Sequence, residues 1–187
     1  FSGNVVLDLQ DNGVCSVPVE LAAGEERIIP ITPEQAANLH VDNPRVWWTY
    51  DLGTPELYAL NVTVEADGVA SDKKDVTFGI RTIESRLTED DYRQFTLNGK
   101  DIVLKGAGWT DDIFLRDTPE SIERQVRYVM DMNMNTIRFE NIWGKDDTVY
   151  DLCDRLGVLA LVGWSCQWEW ENYCGLPEVE HVGCIIQ

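Results

Sequence analysis

Three short apolar segments at close intervals constrain this chain more than any other feature: IVLKGAGW (Ile102–Trp109), TIRFEN (Thr136–Asn141) and VLALVGW (Val158–Trp164). One helical pattern separates each from the next. Thr118-Pro119-Glu120 announces the first helix, with an N-cap residue, a proline at the first helical position and an acid in the first turn. Its apolar stripe is Ile122, Val126, Val129 and Met130. The second helix begins near Asp146–Thr148, carries Val149, Leu152, Cys153 and Leu156, and is closed by Gly157. A β-α-β-α-β order with short links predicts a parallel sheet built by crossover connections. IVLKGAGW, almost uninterrupted in its apolar character, is expected to be a strand buried on both faces. A small hairpin, QFTLNGK, precedes it with Asn98-Gly99 at the turn.

Upstream of about Arg86 the pattern is of strands alone. NVVLDLQ alternates, and DNG supplies a hairpin turn. VCSVPVEL, ERIIPI, LYALNVTVEA and DVTFGIRTIES follow as strand candidates, separated by AAGEE, TPEQAANLHVDNP and DGVASD. In NVTVEA, Val62 and Val64 fall on one face and Thr63 and Glu65 on the other, as a strand buried on one side requires. Short strands at this spacing predict a β-sandwich, with one or two strands of an immunoglobulin-like set expected before Phe1. The expected domains are therefore residues 1–86 and 87–187. Trp47-Trp48 is assigned to core or domain-interface packing, and Asn61-Val62-Thr63 has the form of a glycosylation sequon in mid-strand.

Charge narrows the partners. Fifteen Lys+Arg against 33 Asp+Glu leave a net −18, which argues against nucleic acid or an anionic membrane surface. A neutral or cationic ligand suits it better. No apolar run approaches the roughly 18–20 residues that span a bilayer. The start, FSGNVVLDLQ, lacks a basic n-region and an apolar h-region, so the chain reads as one that begins partway through a longer protein. Five cysteines, Cys15, Cys153, Cys166, Cys174 and Cys184, leave at least one without an internal partner. Cys166, Cys174, His181 and Cys184 invite a zinc reading, but only His181 and Cys184 have the tight spacing of a structural site. A Cys166–Cys174 disulfide is the alternative, and reduced thiols are the favoured expectation. No metal or other cofactor is expected.

In parallel α/β architectures chemistry gathers at the carboxyl ends of the strands. The first end carries Trp109, then Thr110, Asp111 and Asp112. The second carries Arg138, Glu140 and Asn141, with Trp143 beyond, and the third carries Trp164, then Gln167, Trp168, Glu169 and Trp170. Aromatics beside carboxylates and amides suit sugar rings, whose CH faces stack on indoles while hydroxyls and amines meet the polar groups. Arg138 and Glu140 lie two apart and so share one side of their strand. An Arg–Glu ion pair that plugs the end of the sheet is the bland alternative for them.

WWTYDLGTPELYALNVTVEADG…DVTFGIRTIE resembles the immunoglobulin-like domain of glycoside hydrolase family 2. FTLNGKDIVLKGAGWTDDIFLRDTPESIERQVRYVMDMNMNTIRFE resembles the entry into that family's (β/α)8 TIM barrel, and YDLCDRLGVLALVGW its third strand with the helix before it. The likeness runs from about Val46 to Trp170. Within the family, β-mannosidases tend to show R-x-W-G-G-G after the second strand, whereas Ile137-Arg138-Phe139-Glu140 is closer to the R-L-E-G of exo-β-D-glucosaminidases. Asn141 stands where that branch has glycine. The resemblance implies that Glu140 meets the 2-amino group of the sugar, a charge-assisted contact. Arg138, Asn141, Trp109, Asp112, Trp164 and Trp168 complete the expected substrate-binding set.

The resemblance also implies a retaining mechanism by two carboxylates about 5–5.5 Å apart, borne on barrel strands four and seven. Both are expected beyond Gln187, so this chain alone is expected to be inactive. The implied partner is an oligosaccharide, with an amino sugar at its end. A β-mannosidase-type glycosidase and a non-catalytic carbohydrate-binding module stand as alternatives. Analogy with polysaccharide-trimming enzymes implies a periplasmic or secreted location.

Overall fold

Alternating side chains and tight turns give the first part of the chain its sheet. The computed structural model describes residues 1–110, 112, 114, 116–139, 146–162 and 185–186. It divides into two compact units, Phe1–Arg45 with Leu57–Ile80, and Val46–Glu56 with Arg81–Gln187. In the first, β1 (Ser2–Leu9) and β2 (Gly13–Glu20) pair antiparallel through a turn with Asp11 at φ 63°. β3 (Tyr58–Ala66) lies on the other side of β1, and β4 (Val69–Phe78) joins it through Asp67-Gly68, at φ 52° and 75°. Two successive positive φ values are the turn geometry that Asp-Gly favours. The order is β2-β1-β3-β4. Leu7, Val17 and Ala36 are buried together, with Leu60 and Val62 packed against them. Asn38 ties the hairpin down, its Nδ2 donating to the carbonyls of Leu7 (2.8 Å) and Gly13 (2.7 Å).

Two strand expectations in this region are corrected. ERIIPI forms no strand, and Ile28 is 95% exposed. Pro30 has no amide hydrogen to give a ladder, so apolar content there does not secure pairing. DVTFGIRTIES is two strands, not one. β4 ends at Phe78, while β5 (Ile83–Leu87) pairs with β6 (Arg93–Leu97) in the second unit. β4 also begins earlier than expected, taking in part of DGVASD.

In the second unit, β6 turns into β7 (Lys100–Ile102) at Asn98-Gly99, with φ values of 49° and 78°. β8 (Gly106–Trp109), α1 (Pro119–Asp131), β9 (Thr136–Phe139), α2 (Thr148–Leu156) and β10 (Leu159–Val162) follow in the expected order. β9 pairs parallel with both β8 and β10, and β11 (Ile185–Ile186), which the sequence did not announce, pairs antiparallel with β10. Thr118 caps α1: its Oγ1 accepts from Ser121 N, and Ser121 Oγ accepts from Thr118 N. Gly157 ends α2 in the left-handed conformation at φ 76°. Ile122 and Val126 of α1 and Val149 and Leu152 of α2 pack on Ile137, Phe139 and Ala160 of the sheet. Both helices therefore cover the same face.

The expectation of a first strand buried on both faces is also corrected. Gly106, Ala107 and Gly108 are exposed. Among the described residues β8 is an edge strand, with β9 on one side only. A glycine is required at its start, because a Cβ on Gly106 would fall onto the Thr136 carbonyl oxygen.

Residues 46–56 act as a clip within the second unit. Tyr50 N donates to Gly157 O (2.9 Å) and Tyr50 Oη to Met130 O (3.1 Å), satisfying carbonyls at the ends of both helices. Asp51 Oδ2 meets Lys105 Nζ at 2.9 Å and accepts from Asn135 Nδ2 at 3.1 Å. Asn135 Oδ1 in turn accepts from Lys105 N (2.9 Å) and Thr136 Oγ1 (2.9 Å). Burial works to raise the Asp51 pKa, but hydrogen bonds led by that from Lys105 outweigh it and hold the carboxyl below its ordinary value. Ionised Asp51 thus adds stability above the unfolded-state pKa, and the gain disappears as pH falls through the lowered folded-state pKa. Below about pH 4 the urea midpoint of the wild type is expected to fall more steeply than that of Asp51→Asn. Parallel pH profiles would show that Asp51 contributes nothing.

Candidate functional site

Alternation along β9 decides where its charged residue goes. Ile137 and Phe139 are buried beneath the helices, which puts Thr136 and Arg138 on the opposite face. Thr136 is buried there and Arg138 is exposed. In register, Arg138 lies between Gly108 of β8 and Leu161 of β10. An arginine in this apolar strand is thus kept out of the helix-covered core and stands near the carboxyl end of the sheet.

Trp109 takes the other face. It is in register with Phe139, and the two rings meet edge to face, 5.2 Å apart at 86°. Its Nε1 donates to Gln125 Oε1 of α1 at 2.7 Å. Trp109 therefore backs the strand end from the helix side, away from Arg138. A groove of about 560 Å³ between β8 and α1, walled by Ala107, Trp109, Tyr128 and Met132, lies on that same helix side.

The loop after β8 is held by two acids. Asp112 Oδ2 accepts from Phe114 N (3.0 Å) and Arg116 N (3.2 Å), which folds the loop on itself. Asp117 is 9% exposed; its Oδ2 accepts from Asp112 N at 2.9 Å. Its Oδ1 accepts from Ser121 Oγ and Gln125 Nε2, both at 3.2 Å. Sequence reasoning singled out Asp112 and passed over Asp117 and Gln125. The only local signal was an acid next to a helix start, which reads equally well as a cap.

Of the expected binding residues, the structure thus places Arg138, Trp109 and Asp112. Glu140, Asn141, Trp164 and Trp168 lie outside the described residues, as do Trp143, Trp170, Cys166, Cys174, His181 and Cys184. Among the described residues no group of three or more His, Cys, Asp or Glu side chains could hold a metal ion. Cys15 and Cys153 are free thiols. Burial pushes the Cys153 thiol up to about 12, so it sits in the core as an inert apolar group. No helix among the described residues is long and apolar enough to cross a membrane.

The second unit thus carries parallel β/α units with an exposed arginine near the carboxyl end of the sheet. Residues 4–81 match the sequence model of Glycosyl hydrolases family 2, and the chain belongs to that family. Within it the chain resembles the exo-β-D-glucosaminidase branch. It is 40% identical over 154 residues to the exo-beta-D-glucosaminidase of Streptomyces avermitilis, covering 82% of this chain and 17% of the relative. The solved exo-chitosanase of Amycolatopsis orientalis superposes with a TM-score of 0.78 at 30% identity, over 92% of this chain and 19% of that one. Beta-mannosidase B of Aspergillus niger is 28% identical over 141 residues, 69% of this chain and 16% of the relative. The chain therefore spans less than a fifth of the length of these relatives.

Proposed function

We propose that these residues form part of an exo-acting, retaining glycoside hydrolase that removes β-linked glucosamine from oligosaccharide ends. The observation that carries this reading is the 40% identity to an exo-beta-D-glucosaminidase across 82% of the chain. In it, the β2-β1-β3-β4 sheet of the first unit belongs to an immunoglobulin-like sandwich, and β8 to β10 with α1 and α2 are the first β/α units of a TIM barrel. Support comes from the winding: β8, β9 and β10 are adjacent in chain order with both helices on one face. A doubly wound sheet would carry helices on both.

The sugar is held at the carboxyl ends of the strands. Glu140 meets its ammonium, Arg138, Asn141 and Asp112 supply polar contacts, and Trp164 and Trp168 stack on the ring, while Trp109 backs the rim. The acid/base and the nucleophile come from barrel strands four and seven, which these residues do not include. By analogy with polysaccharide-trimming enzymes, the enzyme works in the periplasm or outside the cell.

The test is to assay the full-length protein on 4-nitrophenyl β-glycosides of glucosamine and mannose, with the 187-residue chain as control. Turnover of the glucosaminide by the full-length protein alone is expected. Preference for the mannoside would favour the β-mannosidase reading that the Aspergillus niger relative supports. Turnover by the 187-residue chain would mean that its own carboxylates catalyse.

A further inference from the structure

Among the described residues, the buried carboxylate of Asp117 ties the backbone of Asp112, in the segment between β8 and α1, to the helix. Its three described donors come from three places: Asp112 N in the loop, Ser121 Oγ in the first turn of α1, and Gln125 Nε2 one turn further on. Gln125 cannot turn its amide over without loss, because its Oε1 already accepts from Trp109 Nε1 at 2.7 Å. A chain of hydrogen bonds thus runs from the last residue of β8, through Gln125 and Asp117, to the backbone of Asp112. Packing alone does not need this arrangement. An apolar residue of similar size would fill the space, but would leave the Asp112 amide and the Gln125 amide without their acceptor. At its far end, Asp112 turns Oδ2 to the loop amides of Phe114 and Arg116 and, at 4.0 Å, to the Arg116 side chain. The network therefore fixes the position of the Asp112 carboxylate, at the end of a sheet where substrates are met.

We propose that Asp117 is a positioning residue that sets the place of Asp112 for substrate binding, acting with Gln125 and Trp109. This rests on the glycosidase reading above and deepens it by naming what orients the first strand-end loop.

A double-mutant cycle in the full-length protein tests it. Steady-state kinetics are measured for Asp112→Ala, Asp117→Ala, Asp117→Asn and the double alanine variant, on whichever of the two 4-nitrophenyl glycosides the wild type hydrolyses. Asp117→Ala is expected to raise KM roughly tenfold with kcat little changed, the scale of losing one hydrogen bond to a charged group. Asp117→Asn, which keeps an acceptor for the Asp112 amide, is expected to recover most of that loss. In the Asp112→Ala background the Asp117→Ala change is expected to leave KM where it stands, because the two act as one unit. A purely structural role would instead lower the melting temperature with KM unmoved, or give the same loss with and without Asp112, and either result overturns the proposal. Preference of the wild type for the mannoside would defeat the amino-sugar reading but leave the cycle measurable. A wild type inert on both glycosides overturns the two together.

Discussion

Replacing Trp47 with alanine is expected to cost about 3–5 kcal/mol of stability in the second unit, the range for emptying a large aromatic site in a core. The indole is 1% exposed. Its Nε1 donates to the Asp154 carbonyl at 2.7 Å, in the last turns of α2. The Arg81 guanidinium lies 4.5 Å from the ring centroid and 4.0 Å from Asp154. Asn98 of the hairpin turn donates to the Trp47 carbonyl at 2.9 Å. Removing the ring leaves a cavity, an unsatisfied helix carbonyl and a largely buried guanidinium stripped of its aromatic face, and these losses add to the transfer term. Burial already pushes Arg81 down and Asp154 up, so neither group has solvation to spare. Urea unfolding followed at 222 nm is the readout, because α1 and α2 both belong to this unit. Trp47→Phe, which keeps most of the packing but no N–H donor, is expected to lose only about 1–3 kcal/mol. Equal losses for the two variants would assign the effect to the hydrogen bond and not to the ring.

Nothing in the local sequence told of that bond, which joins residues 107 positions apart. What was legible was whatever is decided within a few residues. Thr118-Pro119 marks where α1 begins, Gly157 where α2 ends, and Asn98-Gly99 where a hairpin turns, because caps and turns are short-range chemistry. The alternation of TIRF gave the side taken by Arg138. Pairing was less legible. ERIIPI has strand composition without a strand, and the sequence between Phe78 and Ile83 holds nothing that shows β4 and β5 going to different sheets. Both depend on which partner is available, a tertiary matter that propensity does not encode. By composition, the glycines of IVLKGAGW suit the end of a buried strand. In the fold they make an exposed edge whose first glycine is held by the closeness of Thr136. At the site, the residue types pointed to sugar chemistry, but the roles did not follow from type. Trp109 faces the helices, and Asp117, which no motif flagged, orders the loop.

The largest functional effect is expected at Glu140. In the full-length protein, Glu140→Gln should lower kcat/KM on the glucosaminide by roughly 10- to 100-fold, the worth of a hydrogen bond to a charged partner. Turnover of the mannoside, which has a hydroxyl in place of the amine, should change little. Glutamine keeps the shape and an acceptor oxygen, so the variant removes the charge and little else. The selectivity argument depends on that. A carboxylate gains from an ammonium what it cannot gain from a hydroxyl, and the gain grows where neighbouring groups exclude water. Arg138, two residues before it in sequence and standing beside Gly108, is the test of the competing account, in which arginine and glutamate serve each other as an ion pair. Under that account, Arg138→Ala and Glu140→Gln lose activity on both glycosides alike, and the double variant is no worse than either. If Glu140 reads the amine, its loss is confined to the glucosaminide and adds to that of Arg138. Sugar selectivity then resides in one carboxylate, that of Glu140.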